Sequence, residues 1–310
     1  MTDAKKYKYS EIFTSIQGEG EFTGAPTVWV RWFLCNLQCP GFGQTVPEDA
    51  STHVLPYESF DVSTIKRIED LPVWDKGCDS SYSWAKKYKH LCHDKTASEI
   101  ADHLEAELKQ MNDNPDGKFT IMRERKKLTD IRDFHLCMTG GEPMMKKTQV
   151  AMIDTLINLE HRQNVPRYIT IETNGTQPMS DDLRQIVASF RLSGGDWFWS
   201  VSPKLLYTSG EDPKRAIKPE VVRGYQDIAP RGQLKFVVSN RPEAWDELER
   251  TVDAFRDAGV KWPVWIMPVG GTVEEQSNDD TREIVEETIR RGYNVAARVH
   301  CYIWGNQIGT

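Results

Sequence analysis

Thr27-Val-Trp-Val-Arg-Trp-Phe-Leu34, followed by Cys35-Asn-Leu-Gln-Cys39, is the stretch whose reading decides the fold. Its first part is rich in β-branched and aromatic residues, the pattern of a buried strand. Cys35 then lies at the C-terminal end of that strand, where barrels and open α/β sheets carry their chemistry. Cys-x3-Cys alone fits a pair of buried thiols, since a free cysteine packs as a small apolar group. It fits structural zinc as well, with Cys35, Cys39, Cys78 and either Cys92 or His93 as four tetrahedral ligands. An iron–sulfur cluster held by three thiolates would instead leave one iron open to a small molecule. The surrounding sequence has to separate these readings.

On the N-terminal side, residues 1–26 are polar and lead into Ile16-Gln17-Gly18-Glu19-Gly20, a tight loop whose glycines let the backbone approach a neighbour closely. On the other side, residues 40–77 hold Pro40, Pro47, Pro56 and Pro72 with no sustained period, a long loop inside a folded region. Thr96 and Glu99 stand at capping-box spacing, with Ile100, Leu104 and Leu108 on one face, which predicts a helix over 96–111. Residues 112–130, with the charge run Arg123-Glu-Arg-Lys-Lys127, read as a solvated loop.

From residue 131 strand-like runs near 131–138, 167–172, 196–202, 233–239, 263–268 and 294–303 alternate with helical patterns. Val150, Ile153, Leu156 and Ile157 mark one helix, and Leu183, Ile186 and Val187 a second. Trp245, Leu248, Val252 and Phe255 mark a third; Ile284, Val285 and Ile289 mark a fourth. Such alternation implies right-handed βαβ units and a parallel sheet of about seven strands, close to a partial or complete α/β barrel. No second core or linker is evident, so 1–310 reads as a single domain.

Composition narrows the function. Of 310 residues, 39% are apolar and 27% charged, enough for a sizeable core. A net charge of -7 argues against general nucleic-acid binding, which needs a basic face. It leaves room for a small anionic substrate held by local Arg and Lys residues. The polar start Met1-Thr-Asp-Ala-Lys-Lys predicts no signal peptide. The absence of a run of about 18 apolar residues predicts no membrane span, so a cytoplasmic location is expected. The six cysteines, at 35, 39, 78, 92, 137 and 301, read as thiols or metal ligands rather than a disulfide framework.

Three successive strand ends carry polar segments: Thr139-Gly-Gly-Glu-Pro143, Ile171-Glu-Thr-Asn-Gly-Thr176 and Ser200-Val-Ser-Pro-Lys204. Folding alone does not demand this. Their shared rim favours a ligand site at the top of a barrel. The chain closes with Arg298-Val-His300-Cys-Tyr-Ile-Trp304-Gly-Asn306-Gln-Ile-Gly309-Thr310, a tail whose aromatics suggest docking against the body, with His300 on the preceding strand.

Together these motifs resemble the radical S-adenosylmethionine enzymes, and within them the 7-carboxy-7-deazaguanine synthases of the 7-deazaguanine (queuosine) pathway. The resemblance runs from Glu11-Ile-Phe-Thr-Ser-Ile-Gln-Gly-Glu-Gly20 and Gly24-Ala-Pro-Thr-Val-Trp-Val-Arg31 through Cys35-Asn-Leu-Gln-Cys39 and Cys78-Asp-Ser-Ser-Tyr-Ser-Trp84. It continues through the three rim motifs to Met267-Pro268 and Trp304-Gly-Asn306. One departure stands out. The superfamily pattern is Cys-x3-Cys-x2-Cys, and Phe42 occupies the expected third position. The family's third-cysteine context, Asp-Ser then an aromatic and Trp, sits at Cys78, so residues 40–77 read as an insertion between the second and third ligands. Loop-closure entropy grows only logarithmically, so such an insertion is tolerable, and metal binding offsets it. Cys92 is the fallback ligand.

The resemblance implies a radical S-adenosylmethionine (radical SAM) type of partial or modified (β/α) barrel. Cys35, Cys39 and Cys78 would hold a [4Fe–4S] cluster whose open iron binds S-adenosyl-L-methionine. The 5′-deoxyadenosyl radical would take hydrogen from C6 of 6-carboxy-5,6,7,8-tetrahydropterin, and ring contraction with loss of ammonia would give 7-carboxy-7-deazaguanine. Gly140, Gly141, Glu142, Glu172, Asn174, Ser202 and Lys204 match contacts to S-adenosylmethionine. Gln17, Gly18, Glu19, Arg31, His300 and Thr310 match contacts to the pterin, whose carboxylate suits an arginine fork. Ser80 matches a hydroxyl ligand of Mg²⁺, a cation that favours oxygen donors. A reductant such as flavodoxin, a homodimer, and no nucleic-acid or membrane partner are implied as well. Two other readings remain at this point: a radical activase that makes a glycyl radical on a partner protein, and a zinc-stabilised binding module without turnover.

Overall fold

The run after Ala25 forms strand β2 (Pro26–Trp32), with Val28 and Val30 wholly buried. The structure is a computed structural model and describes residues 4–125 and 128–310. Before β2, strand β1 (Lys6–Ile16) runs antiparallel to it, and β3 (His93–Thr96) runs antiparallel to β1. Strands β4 (Thr120–Arg125) and β5 (Leu128–Asp133) form a separate antiparallel hairpin. Six more strands lie parallel to β2. They are β6 (His135–Gly140), β7 (Tyr168–Thr173), β8 (Asp196–Val201), β9 (Gly232–Val238), β10 (Val264–Pro268) and β11 (Asn294–Val295). The main sheet runs β3-β1-β2-β6-β7-β8-β9-β10-β11, so β3 and β11 form its two ends. The fold is α/β with a large, mostly parallel sheet.

Side chains alternate across a strand with a period of two, and here the two faces differ in chemistry. Leu136 and Met138, Ile169 and Ile171, Trp197 and Trp199, Leu234 and Phe236 join the main core. They meet helices Lys146–His161, Asp181–Leu192, Pro219–Ile228, Pro242–Asp257 and Asp279–Arg290 through Met152, Leu183, Tyr225, Leu248 and Ile284. On the other face, beyond Cys137 and Phe198, the strands turn polar at Thr139, Glu172, Ser200 and Lys235. A parallel sheet covered on both faces normally reads as continuous apolar sequence. Polar residues toward the C-terminal ends of the strands therefore mark the part of this face that holds the site.

The helix Ala97–Lys109 forms with the expected capping box. Glu99 N donates to Thr96 Oγ1 at 3.2 Å, and Thr96 N donates to Glu99 Oε2 at 2.8 Å. Ile100, Leu104 and Leu108 are wholly buried.

Three expectations are corrected. Residues 112–130 are not simply a loop, because β4 and β5 pair there, with Arg123 opposite Asp130; residues 126 and 127 of the charge run lie outside the described residues. The run 131–138 is two strands, since the chain turns at Phe134, whose N–H donates to Phe119 O at 2.8 Å. The run 294–303 pairs only at Asn294–Val295, and His300 lies on the helix Val299–Trp304. A short apolar run fits either state by periodicity. Here Val299 N donates to Gly18 O at 3.0 Å, which turns the chain away from the sheet edge.

The segment 40–77, expected to be an insertion, packs in a small apolar cluster apart from the main core. Tyr57, Ile68, Leu71 and Trp74 cluster with Tyr82, Tyr88 and Ile308 of the tail. Its ends meet, with Gly77 N donating to Phe42 O at 2.7 Å. Gly43 sits at φ +68°, and a Cβ there would fall 2.2 Å from Asp75 O, so only glycine fits. Glu48 ties the insertion to the body through a two-pronged pair with Arg241 at 2.8 and 2.9 Å.

Removing the N-cap hydroxyl with Thr96→Ala should lower stability by about 1 kcal/mol, with Thr96→Ser restoring it. Chemical denaturation of the three proteins checks this, and an unchanged midpoint for Thr96→Ala would count against the capping role.

Candidate active site

At the C-terminal ends of the parallel strands lies a cavity of about 280 Å³. Cys35, Cys39 and Cys78 line one region of it, beside Phe42. The loop carrying the first two departs from ordinary backbone, with Leu34 at φ +98° and Cys39 at φ +50°. Glu211 holds it there: Gln38 N and Cys39 N donate to the same Glu211 oxygen at 2.7 and 2.8 Å. The third cysteine is tied to the first by Leu34 N, which donates to Ser83 O at 2.8 Å.

Each outer thiol receives a donor. Leu37 N points at Cys35 Sγ at 3.4 Å, and the Trp84 indole N–H at Cys78 Sγ at 3.4 Å. Donors aimed at sulfur stabilise the thiolate form that ligates metal. Without such a partner the thiols stay protonated, since burial pushes Cys35 up to about 12 and raises Cys39 and Cys78 as well. The donor set thus fits an iron–sulfur cluster.

The tetrahedral zinc set is not assembled. Cys92 lies near Ser10 and Tyr88, His93 stacks on Tyr9, and neither lines the cavity. Among the described residues no three His, Cys, Asp or Glu side chains are grouped to hold a single ion, the three cavity cysteines included; a cluster is larger than one ion and takes thiolates set further apart.

Gly140, Gly141, Glu172, Asn174, Ser202 and Lys204 all line the cavity. The two glycines are needed first for packing: a Cβ on Gly140 would lie 2.3 Å from Trp32 O, and one on Gly141 2.3 Å from Leu34 O. Asn174 Nδ2 donates to Asn36 Oδ1 at 3.0 Å, and Lys204 Nζ donates to Ser202 Oγ at 3.0 Å. Glu142 departs from the expectation. It is wholly buried outside the lining and accepts from Met144 N, Thr173 Oγ1 and Asn174 N at 2.8, 2.6 and 2.7 Å. Its carboxylate braces the ends of β6 and β7, and burial pushes its pKa up to about 6.

Gln17, Gly18, Glu19, Arg31, His300 and Thr310 line the cavity too, as does Ser80. The approach that Gly18 permits is to His300: a Cβ there would fall 2.0 Å from His300 Nδ1. Burial lowers the His300 pKa and so favours the neutral ring. Arg31 Nε donates to Glu11 Oε1 at 2.6 Å, leaving both Nη atoms without a hydrogen-bond partner among the described residues. Ser80 Oγ lies 3.5 Å from Cys78 Sγ.

Two buried cations, absent from the sequence-based assignment, complete the site. Lys235 pairs with Glu19 and lies 3.8 Å from Glu172. Arg298 donates from Nε to Glu19 Oε1 at 3.2 Å and from Nη2 to Asp79 Oδ2 at 2.8 Å. Burial alone would raise the Glu19 carboxyl, but Lys235 and Arg298 outweigh it and hold it far below the usual range. The signal for Lys235 was its place in Gln233-Leu-Lys-Phe-Val-Val238, on the polar face of an otherwise apolar strand.

No family model matches the chain. Along its whole length it is 25% identical to a 7-carboxy-7-deazaguanine synthase from Pyrobaculum aerophilum, covering all of both chains. It is 27% identical over 307 residues to the synthase of that name from Rhodopirellula baltica, covering 97% of this chain and 88% of that one. Over nearly its full length the chain is thus similar to proteins named 7-carboxy-7-deazaguanine synthase. Over a span of 30 residues, 10% of this chain and 14% of the other, identity to the Haemophilus influenzae synthase reaches 63%. In fold, the chain is similar to the crystal structure of QueE from Escherichia coli, with a TM-score of 0.52, 17% identity and 95% of both chains covered.

Burial pushes the Glu142 carboxyl up to about 6, above the usual carboxylate range. The folded state therefore binds the extra proton, and stability from this group falls as pH rises through that window, by on the order of 2 kcal/mol. Denaturation midpoints between pH 4 and 7 should fall more steeply for the wild type than for Glu142→Gln. Parallel profiles would contradict the assignment.

Proposed function

We propose that the chain is a 7-carboxy-7-deazaguanine synthase, which contracts the ring of 6-carboxy-5,6,7,8-tetrahydropterin to 7-carboxy-7-deazaguanine with loss of ammonia. The observation that carries this reading is convergence. Three cysteines from two distant segments and a set of paired buried charges line one cavity at the strand ends. The full-length relatives supply the reaction. The open sheet is read as a partial (β/α) barrel of the radical SAM type, residues 1–310 as one domain, and 40–77 as its insertion.

In this reading Cys35, Cys39 and Cys78 hold a [4Fe–4S] cluster. Bound there, the cluster and S-adenosylmethionine supply the radical that starts the rearrangement. Gly140 and Gly141 offer backbone to the cofactor, and Glu172, Asn174, Ser202 and Lys204 offer side-chain polar groups. Glu142 acts from beneath, by holding Asn174 N.

The pterin carboxylate suits the Nη pair of Arg31, while Gln17, Gly18, Glu19, His300 and Thr310 line the region assigned to its ring. Ser80 is the candidate hydroxyl for Mg²⁺, which keeps most of its own waters. Pro72, Val73 and Trp74 of the insertion line the same cavity. A one-electron reductant such as flavodoxin and a homodimeric assembly accompany the reading. Among the described residues no helix is long and apolar enough to cross a membrane.

The activase alternative leaves the Glu19–Lys235–Arg298 network without a use, and the zinc alternative lacks its fourth ligand at the cavity.

Anaerobic reconstitution, then incubation with the carboxy-tetrahydropterin, S-adenosylmethionine, Mg²⁺ and a reductant, should yield the deazaguanine product by mass. Cleavage of S-adenosylmethionine without that product would return the activase; a colourless protein with stoichiometric zinc would end the radical reading. Cys78→Ala should abolish cluster assembly, read by iron content and absorption, and Cys92→Ala should leave it intact. The reverse pattern would refute the ligand set.

A further inference from the structure

Connectivity does not place Cys78. Residues 40–77 separate it from Cys39, so contacts must set its position. Two of these are backbone bonds already described, Gly77 N to Phe42 O and Leu34 N to Ser83 O. A third joins the Tyr82 hydroxyl to Glu11 Oε1 at 3.0 Å. The fourth is ionic and reaches furthest across the fold: Arg298 Nη2 to Asp79 Oδ2 at 2.8 Å.

Arg298 is a junction. Its side chain is 10% exposed. Nε binds Glu19 in the loop between β1 and β2; Nη1 donates to Gly270 O after β10 at 2.7 Å; Nη2 also reaches Asn306 Oδ1 of the tail at 3.4 Å. Every nitrogen of the guanidinium is therefore committed, and the ring of contacts fixes where Asp79 sits. Asp79 is the chain neighbour of Cys78 on one side and Ser80 on the other. A carboxylate beside a thiolate repels it, and the guanidinium offsets that charge.

We infer that Arg298 is a positioning residue for the third cluster ligand, holding the Cys78-Asp79-Ser80 step against the sheet through its ion pair with Asp79. The inference rests on the reading of Cys35, Cys39 and Cys78 as cluster ligands. The insertion makes such a residue necessary, because the short peptide link that would otherwise fix the third cysteine is missing. A lysine could satisfy one of these partners but not the planar set.

The test uses the full chain, reconstituted anaerobically, in four variants: Arg298→Met, Arg298→Lys, Asp79→Asn and Glu48→Gln. Iron per chain, the rate of cluster loss to an iron chelator, and the reduced-state EPR spectrum are measured. Melting of the cluster-free protein controls for folding. Loss of a partner that orients a metal ligand costs about 10- to 100-fold in metal affinity. Arg298→Met and Asp79→Asn should accordingly lose cluster about tenfold faster or more, with an altered EPR signal, and Arg298→Lys should recover part of both.

Glu48→Gln cuts the insertion's other tether and should match the wild type. Wild-type rates and spectra in Arg298→Met and Asp79→Asn would overturn the inference while leaving the functional reading intact. If Arg298→Met does not fold, Asp79→Asn decides alone. A wild-type chain that takes up no cluster would overturn the functional reading, and this inference with it.

Discussion

The pairing of buried charges inside the cavity is the constraint on which the rest depends. Lys235 and Arg298 are each nine-tenths or more buried, and neither could stay so without a partner. Glu19 serves both, Glu172 adds to the first and Asp79 to the second. Burial alone would pull Lys235 down, yet Glu19 and Glu172 more than offset it and raise its pKa. These pairs draw together the loop after β1, strands β7 and β9, the segment after Cys78 and the C-terminal tail. Removing one ion would leave an uncompensated charge, the costly outcome for a buried pair.

The polar face of the sheet follows from the same constraint. Glu172 and Lys235 interrupt strands that would otherwise be apolar. A sheet optimised for stability alone would place valine or isoleucine at such positions. The apolar face meanwhile supplies the stability, with Trp199 stacked on Tyr225 at 4.5 Å and Phe236 against Phe255 at 6.3 Å.

The strands from β6 to β10 were legible in the sequence because each is an apolar run set between segments of helical period. Strand β1 was not: Lys6-Tyr-Lys-Tyr-Ser-Glu alternates charge with aromatics, and its burial depends on β2 and β3 arriving from elsewhere. The β4–β5 hairpin was hidden by its composition, since charged residues such as Arg123 and Asp130 stand opposite each other across it where apolar alternation would be expected. At the site, the rim motifs announced themselves through their glycines and polar clusters. Lys235 and Arg298 did not. Each is a lone basic residue whose burial is decided by acids far away in the chain; the apolar run around Lys235 was its one local hint, and Arg298 had none. Glu142 carries a role its motif does not announce: its carboxylate holds backbone at the ends of two strands.

The meeting of Phe42 and Gly77 has an evolutionary reading. An excursion whose two ends touch can be gained or lost without moving anything outside it. Excising residues 42–77 would leave Cys39-Pro40-Gly41 running straight into Cys78, which is the compact superfamily spacing. With Gly77 N bonded to Phe42 O, the chain leaves and re-enters the body at one place, so the length of what lies between is freer to vary than its two ends are.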